Sequence, residues 1–148
     1  MDVQPDFKEL LVLFNAHKVK YLIVGGYALA FHGAPRTTGD IDLFVEPNPK
    51  NAQKVWEALN EFGFGQVGLR PEDFFQPGYV IQLGQPPVRI DIMTSLSGVS
   101  WDTAHKTKVK GKYGGVPVFF IGRSSLLSNK RAIKRKKDEA DLEALGES

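Results

Sequence analysis

Tyr21-Leu22-Ile23-Val24-Gly25-Gly26 and, thirteen residues further on, Asp40-Ile41-Asp42-Leu43-Phe44-Val45 decide how this chain folds. The first stretch is an apolar run stopped by two glycines, the pattern of a buried strand that turns at once. The second alternates strictly. Ile41, Leu43 and Val45 fall on one face of a strand, Asp40, Asp42 and Phe44 on the other. One face suits a core; the other carries two carboxylates at i and i+2, aimed the same way. Unneutralised, they would repel, so a cation belongs between them, either Arg36 or Mg²⁺.

A third acid sits on a strand of the same kind. In Arg89-Ile90-Asp91-Ile92-Met93 the isoleucines take one face and Asp91 the other, flanked by Arg89 and Met93. With the two strands side by side, Asp40, Asp42 and Asp91 meet on one side of a sheet. Three convergent carboxylates suit a two-metal site, in which ions ~3.5–4 Å apart grip the attacking and leaving oxygens of a phosphoryl transfer. The Gly25-Gly26 pair is the matching part. A strand that ends in glycines lets phosphate oxygens approach bare backbone where a helix begins.

Outward from these strands, Asp6 and Glu9 have capping-box spacing ahead of an apolar stripe of Phe7, Leu10, Leu11 and Phe14. A short helix is expected over Tyr27–His32, and a longer one from the Asn48 cap and Pro49 toward Gly63. Residues 63–77 read as loop. Tyr79–Leu83 and Val88–Met93 read as strands, and Lys106–Lys112 with Val116–Ile121 as a hairpin around Tyr113-Gly114-Gly115. Ser124 or Ser125 caps one last helical region that reaches Leu145. This order predicts an α+β fold with one mixed sheet, residues 1–148 forming a single domain.

Taken together, the strand with Gly25-Gly26, the run Arg36-Thr37-Thr38-Gly39-Asp40-Ile41-Asp42-Leu43 and the later Arg89-Ile90-Asp91 resemble the nucleotidyltransferase fold of the DNA polymerase β superfamily. The tail, in which Leu126, Lys130, Ala132, Arg135, Lys137-Asp138 and Asp141-Leu142 keep a fixed spacing, is similar to the closing motif of the AbiEii-type, toxin-like members. The resemblance spans about residues 20–145. It implies Mg²⁺-dependent transfer of a nucleoside monophosphate from a nucleoside triphosphate, ATP among them, to a hydroxyl. Two Mg²⁺ ions, or Mn²⁺ in their place, would sit on Asp40, Asp42 and Asp91. Gly25, Gly26, Arg36, Thr38 and Lys130 would contact the nucleotide. The implied acceptor is an RNA end such as tRNA, a protein side chain or a small molecule, and an antitoxin protein is an implied partner. One departure stands out: many relatives have serine where this chain has Gly26, which leaves phosphate contact to backbone N–H groups and basic side chains. By spacing alone Lys130 shares a helix face with Leu126 and Ile133, so it is either a phosphate contact or a lysine reaching out from the core edge. Asp138 and Asp141 stand where they can pair with preceding lysines.

Composition agrees with an ordinary folded domain: 42% apolar, 24% charged and no cysteine in 148 residues. The absence of cysteine excludes disulfides and thiolate chemistry and is compatible with a reducing cytoplasm, the expected location. The longest apolar run, Tyr21–Phe31, falls short of the ~20 residues a membrane span needs, and the first residues lack a signal-peptide layout. No Gly-rich P-loop and no nucleophile elbow occurs. The formal charge of +2 conceals a basic segment: residues 103–137 hold 11 Lys and Arg and no acid. Such a segment suits a polyanionic partner, RNA in particular. It also sustains a rival reading, a catalytically silent nucleotide- or RNA-binding module.

Overall fold

Apolar stripes and caps place most of the elements. In this computed structural model, which describes residues 2–34 and 39–147, helix α1 (Pro5–Ala16) buries Phe7, Leu10, Leu11 and Phe14. Its cap is Gln4 rather than Asp6. The Gln4 side chain accepts from the backbone N–H groups of Asp6 and Phe7, and Pro5, with its preset φ and missing N–H, takes the first helical position. Strand β1 (Tyr21–Val24) is wholly buried and runs straight into helix α2 (Gly25–Phe31), two residues before the expected start. Strand β2 (Asp40–Val45) alternates in burial over Asp40–Leu43, as its sequence predicts, but Phe44 on the carboxylate face is buried as well. Helix α3 (Pro49–Leu59) is capped by Asn48, whose side chain accepts from the Asn51 N–H.

The stretch expected as loop contains a short helical turn, Pro71–Phe74, which drives Phe74 fully into the core. Strands β3 (Val80–Gln85) and β4 (Val88–Met93) follow. Helix α4 (Trp101–Lys106), capped by Ser100, then occupies residues that periodicity did not mark as helical. Its position is fixed by tertiary packing: Trp101 lies edge-on to Phe44 at 5.1 Å. Strands β5 (Val109–Tyr113) and β6 (Val116–Phe120) form the expected hairpin.

Among the described residues six strands join one mixed sheet in the order β3-β4-β2-β1-β6-β5, with β2/β4 and β1/β6 parallel and the other pairs antiparallel. Ile41, Leu43, Val45, Ile90 and Ile92 are fully buried on one face of the central strands. β3 is an edge strand, with Val80 and the neighbouring Tyr79 more than half exposed. β5, with Lys110 and Lys112, is the opposite edge, four strand spacings from β4, or roughly 19 Å. The basic segment is therefore contiguous in sequence and divided in space.

The single terminal helix that spacing predicts is two helices, α5 (Arg123–Ile133) and α6 (Lys136–Ala144). Neither glycine nor proline breaks it. Lys134 adopts a left-handed φ of 60°, a conformation that costs a non-glycine residue about 1–2 kcal/mol. The compensation is ionic. Lys130 Nζ lies 3.3 Å from Asp138 Oδ1 and 3.0 Å from Asp141 Oδ2, and Arg135 Nε lies 2.7 Å from Asp138 Oδ2. Asp138 also accepts from the Arg135 N–H and so caps α6. These hydrogen bonds hold the Asp138 carboxyl down at about 2, Arg135 contributing most. The stability they supply is present above the ordinary carboxylate pKa and is lost as pH falls toward 2. Asp138→Ala removes the cap and leaves buried Lys130 with one counter-ion instead of two. Urea unfolding at pH 7 should show a loss of about 3 kcal/mol, shrinking as the pH approaches 2.

Candidate active site

Strand register brings the acids together. β2 and β4 run parallel with Asp42 opposite Asp91 and Asp40 opposite Arg89, and β1 sets Val24 against Asp42. The carboxylate face therefore begins where β1 gives way to Gly25. That glycine is required by geometry: its φ is +67°, and a Cβ there would stand 2.0 Å from Asp42 Oδ2. Bare backbone thus packs against Asp42, and Asp91 stands opposite it in the strand register.

Such crowding changes the acid. Burial, then the charges of Asp91 and Asp40, push the Asp42 carboxyl up to about 6, against a smaller opposing pull from Lys137. The protein supplies a cation of its own. Arg89 lies 3.2 Å (Nε) from Asp91 Oδ1, its second nitrogen 3.4 Å from Asp91 Oδ2, and Nε is 3.8 Å from Asp40 Oδ2. Arg36, expected from the sequence as the alternative to Mg²⁺ in this place, lies with Thr38 outside the described residues. The signal was nonetheless present. Arg89 precedes Asp91 by two on an alternating strand and shares its face.

A cavity of about 380 Å³ opens over these groups. Gly25, Gly26 and the three aspartates form one side, and Lys130, Arg135 and Lys137 another. Lys130 is buried and its ammonium is committed to Asp138 and Asp141, whereas Arg135 and Lys137 are exposed. A second cavity, of about 430 Å³, lies near the start of β1 beside Lys18 and Phe119 and holds no carboxylate.

Hard carboxylate oxygens on adjacent strands are a donor set suited in kind to a divalent cation. Among the described residues no three such side chains are drawn close enough to enclose one as they stand. Asp42 and Asp91 meet; Asp40 is drawn toward Arg89.

No family model matches this chain, and no curated protein matches it in sequence. Solved structures do. The lincosamide antibiotic adenylyltransferase LnuA, bound to lincomycin, aligns over 99% of this chain and 98% of its own, with a TM-score of 0.61 and 15% identity. A Thermotoga maritima protein regarded as a nucleotidyltransferase aligns over 96% and 93%, with a TM-score of 0.65 and 15% identity. An antigenic nucleotidyltransferase-like protein from Paracoccidioides brasiliensis aligns over 95% and 72%, at 0.55 and 14%. The chain has a nucleotidyltransferase fold. In that fold the mixed sheet expected from the sequence carries Asp40, Asp42 and Asp91 on one face, beside Gly25. Among the described residues, no helix is long and apolar enough to cross a membrane.

The raised Asp42 pKa has a sign that can be checked. Between the ordinary value and about 6 the folded state binds more protons than the unfolded one, so stability falls as pH rises through that window. Without divalent cations, Asp42→Asn should raise stability at pH 8 by roughly 1–3 kcal/mol and change it little at pH 4. Arg89→Gln should lower stability at pH 8, where all three carboxylates are ionised. Thermal unfolding at the two pH values measures both effects.

Proposed function

We propose that the chain transfers a nucleoside monophosphate from a nucleoside triphosphate to a hydroxyl and releases pyrophosphate. The acceptor oxygen bonds to the α-phosphorus, the bond from that phosphorus to the pyrophosphate oxygen breaks, and the hydroxyl proton departs to solvent. The observation that carries this reading is the facing pair Asp42 and Asp91, with Asp40 two residues away, at the mouth of a cavity in a nucleotidyltransferase fold.

Asp40, Asp42 and Asp91 are the residues that would hold Mg²⁺, two ions in the full complement, with Mn²⁺ as a substitute. When bound, the metal supplies Lewis-acid neutralisation of the triphosphate. Asp91, on the β3 side of the pair, orients the acceptor hydroxyl. Gly25 and Gly26 give the phosphates a side-chain-free surface, and Arg135 and Lys137 offset their charge. Lys130 acts at one remove, through Asp138 and Asp141, which set the place of α6 and its exposed cations.

The rim supports a polyanionic acceptor, an RNA end such as tRNA. Arg131, Lys134, Arg135, Lys136 and Lys137 are all exposed around the α5–α6 junction. Lys130, Arg135, Asp138 and Asp141 of the tail that resembles AbiEii-type toxins form one ionic cluster; a toxin role with an antitoxin partner is proposed on that resemblance.

The test is incubation of the protein with each α-labelled nucleoside triphosphate, Mg²⁺ or Mn²⁺, total RNA and lysate proteins. Label should move to a macromolecule, RNA first, and Asp91→Ala should slow it by roughly a hundred- to a thousandfold. Were wild type to label nothing while Asp40→Ala still bound nucleotide, the chain would be a silent binding module.

A further inference from the structure

The cavity has apolar lining that the phosphate chemistry does not use. Met93 from β4, Leu96 from the following loop and Ile133 from α5 contribute it, together with the buried amide of Asn129. Asn129 and Ile133 are four apart on α5 and so share a helix face. Asn129 is only 6% exposed. Its Nδ2 donates to the Ser97 carbonyl at 3.0 Å, which fixes the orientation of the amide, because the reverse would set oxygen against oxygen. The Ser97 loop is itself held. Leu96 bridges Val99, and Gly98 packs so close to α5 that a Cβ there would lie 2.6 Å from Ala132 Cβ and 2.7 Å from the Ser128 carbonyl oxygen. Asn129 Oδ1 has no hydrogen-bond partner among the described residues, yet no sealed side-chain polar atom among them lacks one. The oxygen is therefore open to the cavity.

We infer that these residues form a nucleobase subsite and that Asn129 Oδ1 selects a base with an exocyclic amine at C6 of a purine or C4 of a pyrimidine. The inference rests on the nucleotide reading above and deepens it. Apolar side chains cover the faces of the ring, and one rigid acceptor reads its edge. Adenine and cytosine offer an NH₂ at that edge. Hypoxanthine and uracil set a carbonyl oxygen against Oδ1 and leave both acceptors unpaired.

Titration of the protein with ATP, ITP, CTP and UTP in Mg²⁺, without acceptor, tests this. ATP and ITP differ chiefly in the amine. Wild type should bind ATP and CTP about tenfold more tightly than ITP and UTP. Asn129→Ala should weaken ATP to the level of ITP and leave ITP unchanged. Equal affinity of wild type for ATP and ITP overturns the assignment without touching the nucleotide reading, as does an Asn129→Ala variant that keeps the preference. Binding of none of the four removes both. The wild-type comparison decides even if Asn129→Ala fails to fold.

Discussion

Like charge held at short range organises this molecule. Parallel pairing of β2 with β4 forces Asp42 to face Asp91, and the period of the strand adds Asp40 to the same face. Their repulsion has to be met locally, and the surroundings divide that task. Arg89 spans Asp91 and Asp40, Asp42 keeps its proton to a higher pH than a free carboxyl, and Lys137 contributes field from α6. Gly25 contributes by lacking a side chain, since any Cβ would evict the Asp42 carboxylate. A fold stabilised only by its apolar side would gain nothing from such a face.

The second ionic cluster shows the contrast. Lys130, Arg135, Asp138 and Asp141 contain two cations and two anions within hydrogen-bonding or ion-pairing distance, so their charge is balanced inside the protein. Asp138 there is more acidic than usual, whereas Asp42 is less acidic than usual. Two clusters of similar composition thus have opposite character. One closes the α5–α6 junction, and in the other Arg89 bridges Asp91 and Asp40 while Asp42 holds its proton to a higher pH.

Much of this was written in local pattern. Alternation in Asp40–Val45 and Arg89–Met93 marked both strands and the face of its own strand that each acid takes, because a two-residue period leaves no freedom once one face is buried; that the acids meet depends on β2 lying beside β4. Arg89 was visible as a neighbour of Asp91, but its reach to Asp40 depends on the register between β2 and β4, which no single strand encodes. The break at Lys134 was hidden for a related reason. It carries no glycine or proline and exists because Asp138 bonds both Lys130 and Arg135. Helix α4 is too short to show a period and is set by Trp101 against Phe44. The commitment of Lys130 to two aspartates is legible only once α5 and α6 are known to be separate helices.

The position of β3 has its own consequence. Gln82 of that strand lies opposite Asp91, and β3 ends the sheet. A group approaching Asp91 from that side crosses the width of one strand, about 5 Å, and is then in open water. The remainder of a large molecule can stay outside while one of its ends reaches the carboxylates. Reach along the surface, rather than the capacity of an enclosed chamber, sets the size of what this face can meet.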